Sequence, residues 1–388
     1  MDKHALLSAS GASRWLACPP SALLELQFPK QSSSYAEEGT AAHELCELTA
    51  QQQLGEISQK NYESKLAKLA KGQYYNVEML ECAIDYGRYI YETVDTARFH
   101  CPDTLVELEV KNLDFSEWAP EGFGTGDCII VSDDLLEIID FKYGKGVRVE
   151  AEKNAQMRLY ALGAIKRYGD FYDIKRVRMS IIQPRINREP SIDEIEVSEL
   201  LDWAENYVKP RAKLAHTGKG KFCPSEDTCK FCRAKEQCKA RTEKNLDLFD
   251  EAPDLLLITP EEAGKILEKA TDIRAWLTDL ENMVMRLLFE GKPVEGWKLV
   301  EGRSNRKFID DDKVVIAMKE NGYDEALLFE RKLLGITAME KAFGKKAIDE
   351  VLKDLIHKPQ GKPTLAIAKD KRLEFKPEEL ILDAFDED

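Results

Sequence analysis

Apolar residues recur at helical spacing over residues 36–54 and 61–98, which predicts two helices, the second rich in aromatic positions. From residue 104 the pattern changes. Residues 104–111, 124–131 and 135–142 read as strands, with Ser132, Asp133 and Asp134 as a tight turn between the last two. Helical spacing returns at about 150–168, a strand at 174–184 ends in Gln183 and Pro184, and a further helix covers about 196–215. Ahead of all this, Ser10 or Ser13 can cap a short helix that Pro19 and Pro20 stop. The order predicts an α/β core, a mixed sheet flanked by helices. Beyond it, Phe249 to Pro253 reads as a linker. Thr259 then caps an amphipathic helix over 260–290 that has proline at its first position and acids in its first turn. More helix is expected over 310–355. The expected division is a core over 1–248 with a cysteine cluster at 222–239, a helical domain over 255–356, and a flexible acidic tail over 357–388.

Composition narrows the class. The chain has 388 residues, 43% hydrophobic and 33% charged, with no apolar run near the ~20 residues that span a bilayer. The first residues carry no signal-peptide apolar region, so a cytoplasmic site is expected. Nine cysteines then argue for metal ligation and free thiols rather than disulfides. A net charge of −15 speaks against a protein that coats nucleic acid. It leaves room for a nuclease with an acidic metal site and local basic patches, and residues 209–244 are basic.

The candidate chemistry sits in the strands. Asp127 stands at the start of one apolar strand, and Asp140 and Lys142 at the end of the next, on the same face because side chains alternate. Charges buried at strand ends are costly unless they hold something, and a divalent cation is the obvious occupant. His43 follows Gly39 in the first long helix. Glu107 and Glu109 share one face of the preceding strand, and Gln156 and Tyr160 lie four apart on one side of the following helix. Singly, each has a plain reading: a solvated ion pair, a helix-face histidine, a charged strand, an amphipathic surface.

Taken in order (Gly-x3-His, Glu, Gly-x-Asp, Asp-x-Lys, Gln-x3-Tyr) the set resembles the RecB-like branch of the PD-(D/E)XK nucleases. Within that branch it is most similar to an uncharacterised phage-encoded family. The resemblance runs over most of the chain, including Gly144 to Val147 and Glu301 to Lys307. It implies a restriction-endonuclease-like fold in which Asp127 and Asp140 hold Mg²⁺ or Mn²⁺, completed or oriented by His43 and by Glu107 or Glu109. Lys142 would hold water or the scissile phosphate, and Gln156 and Tyr160 would position DNA or brace the strand.

The cysteines add a second motif. Cys229, Cys232 and Cys238 follow a Cys-x2-Cys-x5-Cys spacing, with Cys223 six residues upstream, and those four could hold a structural zinc by themselves. The spacing is also similar to RecB-like nucleases with an iron–sulfur cluster, including the AddB type and the CRISPR adaptation nucleases. These combine one early cysteine with three late ones. That resemblance implies a 4Fe–4S cluster on Cys18, Cys229, Cys232 and Cys238, with Cys223 as the alternative to Cys18 and zinc as the alternative metal. It would staple the chain's first turn to the end of the core. Cys46, Cys82, Cys101 and Cys128 read as small buried residues. The basic residues around the cluster are either a DNA contact or a solvated surface.

In the C-terminal third, Trp276, Leu280, Met283 and Leu287 form a core-facing stripe, and Glu378 to Asp388 resembles a partner-binding tail. The expected activity is metal-dependent DNA hydrolysis, as an exonuclease in phage recombination or replication, with a phage recombination or replication protein as a possible partner and no membrane. The alternatives are a non-catalytic DNA-binding scaffold that keeps fold and cluster, and a zinc-stapled interaction protein.

Overall fold

The computed structural model describes residues 5–29, 33–250, 260–300, 311–320 and 334–344, with isolated positions up to 356. The segment Glu301–Lys307 and the acidic tail lie outside the described residues. The chain divides into two compact units, Met1–Ala252 with Ala275–Leu333, and Pro253–Arg274 with Leu334–Asp388.

In the first unit the described strands β1 (Leu105–Asp114), β2 (Phe123–Ser132), β3 (Leu135–Phe141), β4 (Arg176–Ile182) and β5 (Ser191–Glu196) lie side by side in sequence order. β1, β2 and β3 form an antiparallel meander, β3 and β4 are parallel, and β5 returns antiparallel at the edge. A parallel pair needs a crossover. Here it is the helix α6, defined below, which lies between β3 and β4 in the chain. The mixed α/β architecture expected from the sequence is therefore present.

The helices preceding the sheet are α1 (Ala12–Ala17), α2 (Ser21–Leu24), α3 (Ser34–Gln53), α4 (Gln59–Leu69) and α5 (Val77–His100). After β3 come α6 (Ala155–Tyr168), α7 (Val197–Trp203), α8 (Lys209–His216), α9 (Glu226–Lys230), α10 (Lys239–Asp250), α11 (Pro260–Phe289), α12 (Asp311–Glu320) and α13 (Ile336–Phe343). Each face of the sheet has its own core, because alternate strand residues point opposite ways. Ile129, Val131, Leu136, Ile138 and Met179 pack against α1, α6 and the segment from α7 to α8. Cys128, Ile130, Ile139, Phe141 and Ile182 pack against α3 and α5. Full burial of residues such as Ile139 and Phe141 contributes roughly 1.5–3 kcal/mol each. Cys46, Cys82 and Cys128 belong to this second core, as their plain reading has it, and burial pushes the Cys82 thiol up to about 12.

Several elements differ from expectation. The helix expected over 61–98 is broken at residues 70–76, where Asn76 caps a new start by accepting from the Met79 amide at 2.9 Å. β5 was not anticipated, since a charged edge strand has no run of apolar residues to betray it. The helix expected over 196–215 carries a wide turn at Ala204–Val208 just ahead of Pro210. The boundary expected near residue 250 is also incomplete, because Ala275–Leu333 joins the first unit. The reason is ionic: Asp279 pairs with Lys235 and Arg241, and Arg286 pairs with Glu236, tying the second half of α11 to the cysteine segment. Trp276 is buried as its stripe predicts, while Leu280, Met283 and Leu287 are half-buried.

Candidate functional site

The site lies where β2 and β3 part. Their ladder ends with Cys128 opposite Ile139. One step further, the Phe141 amide donates to Asp127 Oδ2 at 2.8 Å. A carboxylate thus replaces a carbonyl as the partner of a strand N–H, fixing the Asp127 side chain in the gap between the strands. Its other oxygen lies 3.2 Å from His43 Nδ1 on α3. Phe141 supports that imidazole edge to face, with ring centroids 5.6 Å apart, and is itself packed on Tyr86 at 5.3 Å.

Asp140 faces α6 and is 3% exposed. Its Oδ1 accepts from Gln156 Nε2 at 3.1 Å, and Lys142 Nζ stands 2.9 Å from its Oδ2. That second contact lies off the hydrogen-bonding directions, so Oδ2 is a buried oxygen held by charge but not by an aligned hydrogen bond. Gln156 also accepts from Lys142 at 3.3 Å and donates to the Tyr160 hydroxyl at 3.1 Å. Asn154 caps α6 through the Gln156 and Met157 amides, which locks the residue that links all three. Gly124 is the floor for Tyr160: a Cβ there would come within 2.5 Å of the ring.

Burial disfavours the charged form of Asp140 and raises its pKa. The Lys142 ammonium opposes the shift and the Asp127 charge adds to it. Burial works against the Lys142 cation too, but the Asp140 charge outweighs it and the ammonium is held above its ordinary value. For His43, burial favours the neutral ring, yet the contact with Asp127 and the Asp140 charge carry its pKa upward.

The two strand glutamates separate. Glu107 is on the α6 side, paired with Arg167 at 3.1 Å, while Glu109 lines a cleft of about 190 Å³ with His43, Glu47, Tyr86 and Asp127. The single face expected for them is corrected by the backbone: Glu109 has φ 46°, which breaks strand alternation and turns its carboxylate to the α3 side. Glu109 therefore joins the site and Glu107 does not. Gln183 was seen only as a strand end. Its amide donates to the Gly144 and Val147 carbonyls at 2.8 Å each and accepts from the Val149 amide at 3.0 Å, clamping the loop after Lys142. Phe141, Tyr86 and Gly124 were not singled out either. A buried aromatic in a helix or strand, or a glycine inside a strand, gives no signal of a site until its neighbours are known.

At the cysteines, the chain's first turn does meet the late segment. Glu25 is buried, accepts from Arg14 and from the Arg233 amide at 2.8 Å each, and Arg14 reaches the Phe231 carbonyl. The Cys223 amide donates to Cys18 Sγ at 3.4 Å. Burial raises the Cys18 thiol against backbone N–H bonds from Cys223 and Ser21, and the Cys238 sulfur lies close enough to add to it. Burial also pushes Cys232 up to about 11, against an N–H bond from Ala234. Among the described residues, no group of three or more His, Cys, Asp or Glu side chains converges tightly enough to hold a metal ion, and all nine cysteines are free thiols.

The chain belongs to the DUF2800 family, described as a protein of unknown function, whose family model matches residues 4–373. Among solved structures it is similar to one described as "Crystal structure of SSO0001", at 16% identity over 50% of this chain and 85% of that one, with a TM-score of 0.23. A likeness that slight carries no argument.

Proposed function

We propose that this DUF2800 chain is a metal-dependent deoxyribonuclease of the RecB-like PD-(D/E)XK kind, acting on DNA ends. The observation that supports it best is the convergence, at the parting of β2 and β3, of Asp127, Asp140 and Lys142 with Gln156 linking the last two. The donor types suit a hard cation: the carboxylates of Asp127 and Asp140, with the His43 imidazole and Glu109 beside Asp127 in the cleft. Asp127 and Asp140 would hold Mg²⁺ or Mn²⁺, with His43 and Glu109 at its margin. When bound, the ion supplies Lewis acidity, making water a better nucleophile and offsetting charge on the phosphate.

The chain's own residues do the rest. Lys142 stays cationic at neutral pH and offers a point charge to a phosphate oxygen. Gln156 fixes where that ammonium stands, and Tyr160 fixes Gln156. His43 is held by Phe141 and Asp127 at the cleft mouth. The cysteines would form an iron–sulfur or zinc staple: N–H groups directed at Cys18 and Cys232 suit metal-bound thiolates, which accept such bonds. Among the described residues no helix is long and apolar enough to cross a membrane.

A second reading, a DNA-binding scaffold without catalysis, is favoured by one observation. Lys142 already occupies Asp140, and among the described residues no three ligands converge. End-labelled linear DNA incubated with Mn²⁺ or Mg²⁺ separates the two. The nuclease reading predicts degradation by the wild type and a loss of at least about a hundredfold in Asp140→Ala. Equal degradation by both removes the assigned site, and DNA binding without cleavage by the wild type favours the scaffold.

A further inference from the structure

Away from the strand ends, the cysteine segment and the end of α11 enclose a groove of about 680 Å³ within the first unit. Five cations line it (Lys230, Arg233, Lys235, Arg286 and Lys292) against two acids, Glu236 and Glu290. That is a local excess of three positive charges in a chain whose net charge is −15. Arg233 and Lys235 are held by the buried acids Glu25 and Asp279, and Arg286 by Glu236. Lys292 meets Glu290 only in an exposed pair at 2.8 Å, which holds weakly, so Lys230 and Lys292 are the cations most readily offered to phosphate.

Phe231 stands at the groove with 70% of its surface exposed. One exposed phenylalanine is ordinary by itself. Here the backbone that carries the ring is fixed: the Phe231 carbonyl accepts from Arg14, and the next residue's amide closes a turn onto the Cys229 carbonyl at 3.0 Å. The Lys230 ammonium lies 5.8 Å from its ring centroid. An exposed aromatic face on an anchored turn, with a cation beside it in a basic groove, suits an unpaired base and its phosphates. A duplex keeps its base faces stacked and cannot use such a platform.

We infer that this groove binds single-stranded nucleic acid, with Phe231 as a stacking platform and Lys230 and Lys292 as phosphate contacts. The inference deepens the nuclease reading and rests on it for the choice of DNA as the polymer. It places a single-strand contact on the cysteine segment, joined to α6 through α1, which packs against both α6 and α9.

The test is fluorescence anisotropy with labelled oligo(dT) and a duplex of equal length, without divalent metal. The wild type is expected to prefer oligo(dT). Phe231→Ala is expected to weaken oligo(dT) binding at least about fivefold and duplex binding less than twofold, with Phe231→Trp restoring it. Lys230→Glu with Lys292→Glu is expected to flatten the salt dependence. Oligo(dT) affinity unchanged in Phe231→Ala overturns the inference. So does a polyglutamate peptide that competes with the same dependence on Phe231, which would make the groove a protein-binding surface. If DNA cleavage fails but Phe231-dependent binding persists, the groove stands and the nuclease reading falls. If cleavage requires Asp140 while Phe231→Ala binds as wild type, the groove alone falls.

Discussion

Replacing Gly124 by alanine tests how the fold holds the site. The new Cβ would stand 2.5 Å from Tyr160 Cε1 and 3.1 Å from Cδ1, where carbon atoms normally approach to about 3.5–4.0 Å. The ring must retreat by about 1 Å, and it is buried, so there is little room behind it. Overpacking of this kind costs about 1–3 kcal/mol. Retreat also strains the 3.1 Å bond from Gln156 to the Tyr160 hydroxyl, worth about 1 kcal/mol. The expected loss is therefore about 2–4 kcal/mol, or roughly 3–6 °C in Tm for a unit of this size. Urea denaturation of Gly124→Ala measures it, with Gly126→Ala as control. There the nearest atom is the flexible end of Leu113 at 3.0 Å, and the loss should be smaller. In a Tyr160→Ala background the Gly124→Ala cost should nearly vanish. A loss below about 0.5 kcal/mol, or the same loss with and without the tyrosine ring, would refute the packing of α6 on β2 as described.

Lys142→Met leaves the Asp140 carboxylate buried without its cation and is expected to cost about 3–5 kcal/mol by denaturant titration, with Asp140→Asn restoring part of that in the double variant. A double variant no more stable than the single one would contradict a buried charge pair. His43 has a raised pKa in the fold, so the stability it draws from Asp127 is fully present below its unfolded value of about 6.5 and is lost as pH rises through the folded value. The advantage of wild type over His43→Gln, measured without metal, should therefore shrink over the window that opens at about pH 6.5 and runs up through the folded value. An advantage that grows across that window reverses the assigned sign. Cys18→Ser and Cys232→Ser should each strip iron or zinc from the purified protein by elemental analysis, while Cys101→Ser keeps it. Equal metal content in all three would detach the cysteines from any cofactor.

Much of the fold is legible in the chain itself. The runs around Ile129 and Ile138 are too apolar to be anything but central strands, and β2 and β3 fall within two residues of where the pattern puts them. Asp140, Lys142, Gln156 and Tyr160 meet because two simple periodicities, two for a strand and nearly four for a helix, each place a pair on one side. Glu107 and Glu109 show where such reasoning stops. A non-glycine residue with positive φ reverses the alternation, and no residue type announces it. β5 escaped because Ile192 and Ile195 do not alternate among its acids, and its pairing with β4 supplies what the sequence pattern lacks. The meeting of Cys18 with Cys223 depends on a buried glutamate, Glu25, that looks like any surface acid until Arg14 and Arg233 are seen around it.

The central claim is that Asp127 and Asp140 jointly hold one hard cation. Titration of the purified protein with Mn²⁺, followed by the electron paramagnetic resonance signal of the free ion, measures this most directly. The account predicts stoichiometric uptake by the wild type, weakened at least about tenfold, or ~1.4 kcal/mol, in each of Asp127→Asn and Asp140→Asn. Wild-type protein that leaves the free-ion signal unchanged, or asparagine variants that bind Mn²⁺ as tightly as the wild type, would contradict it.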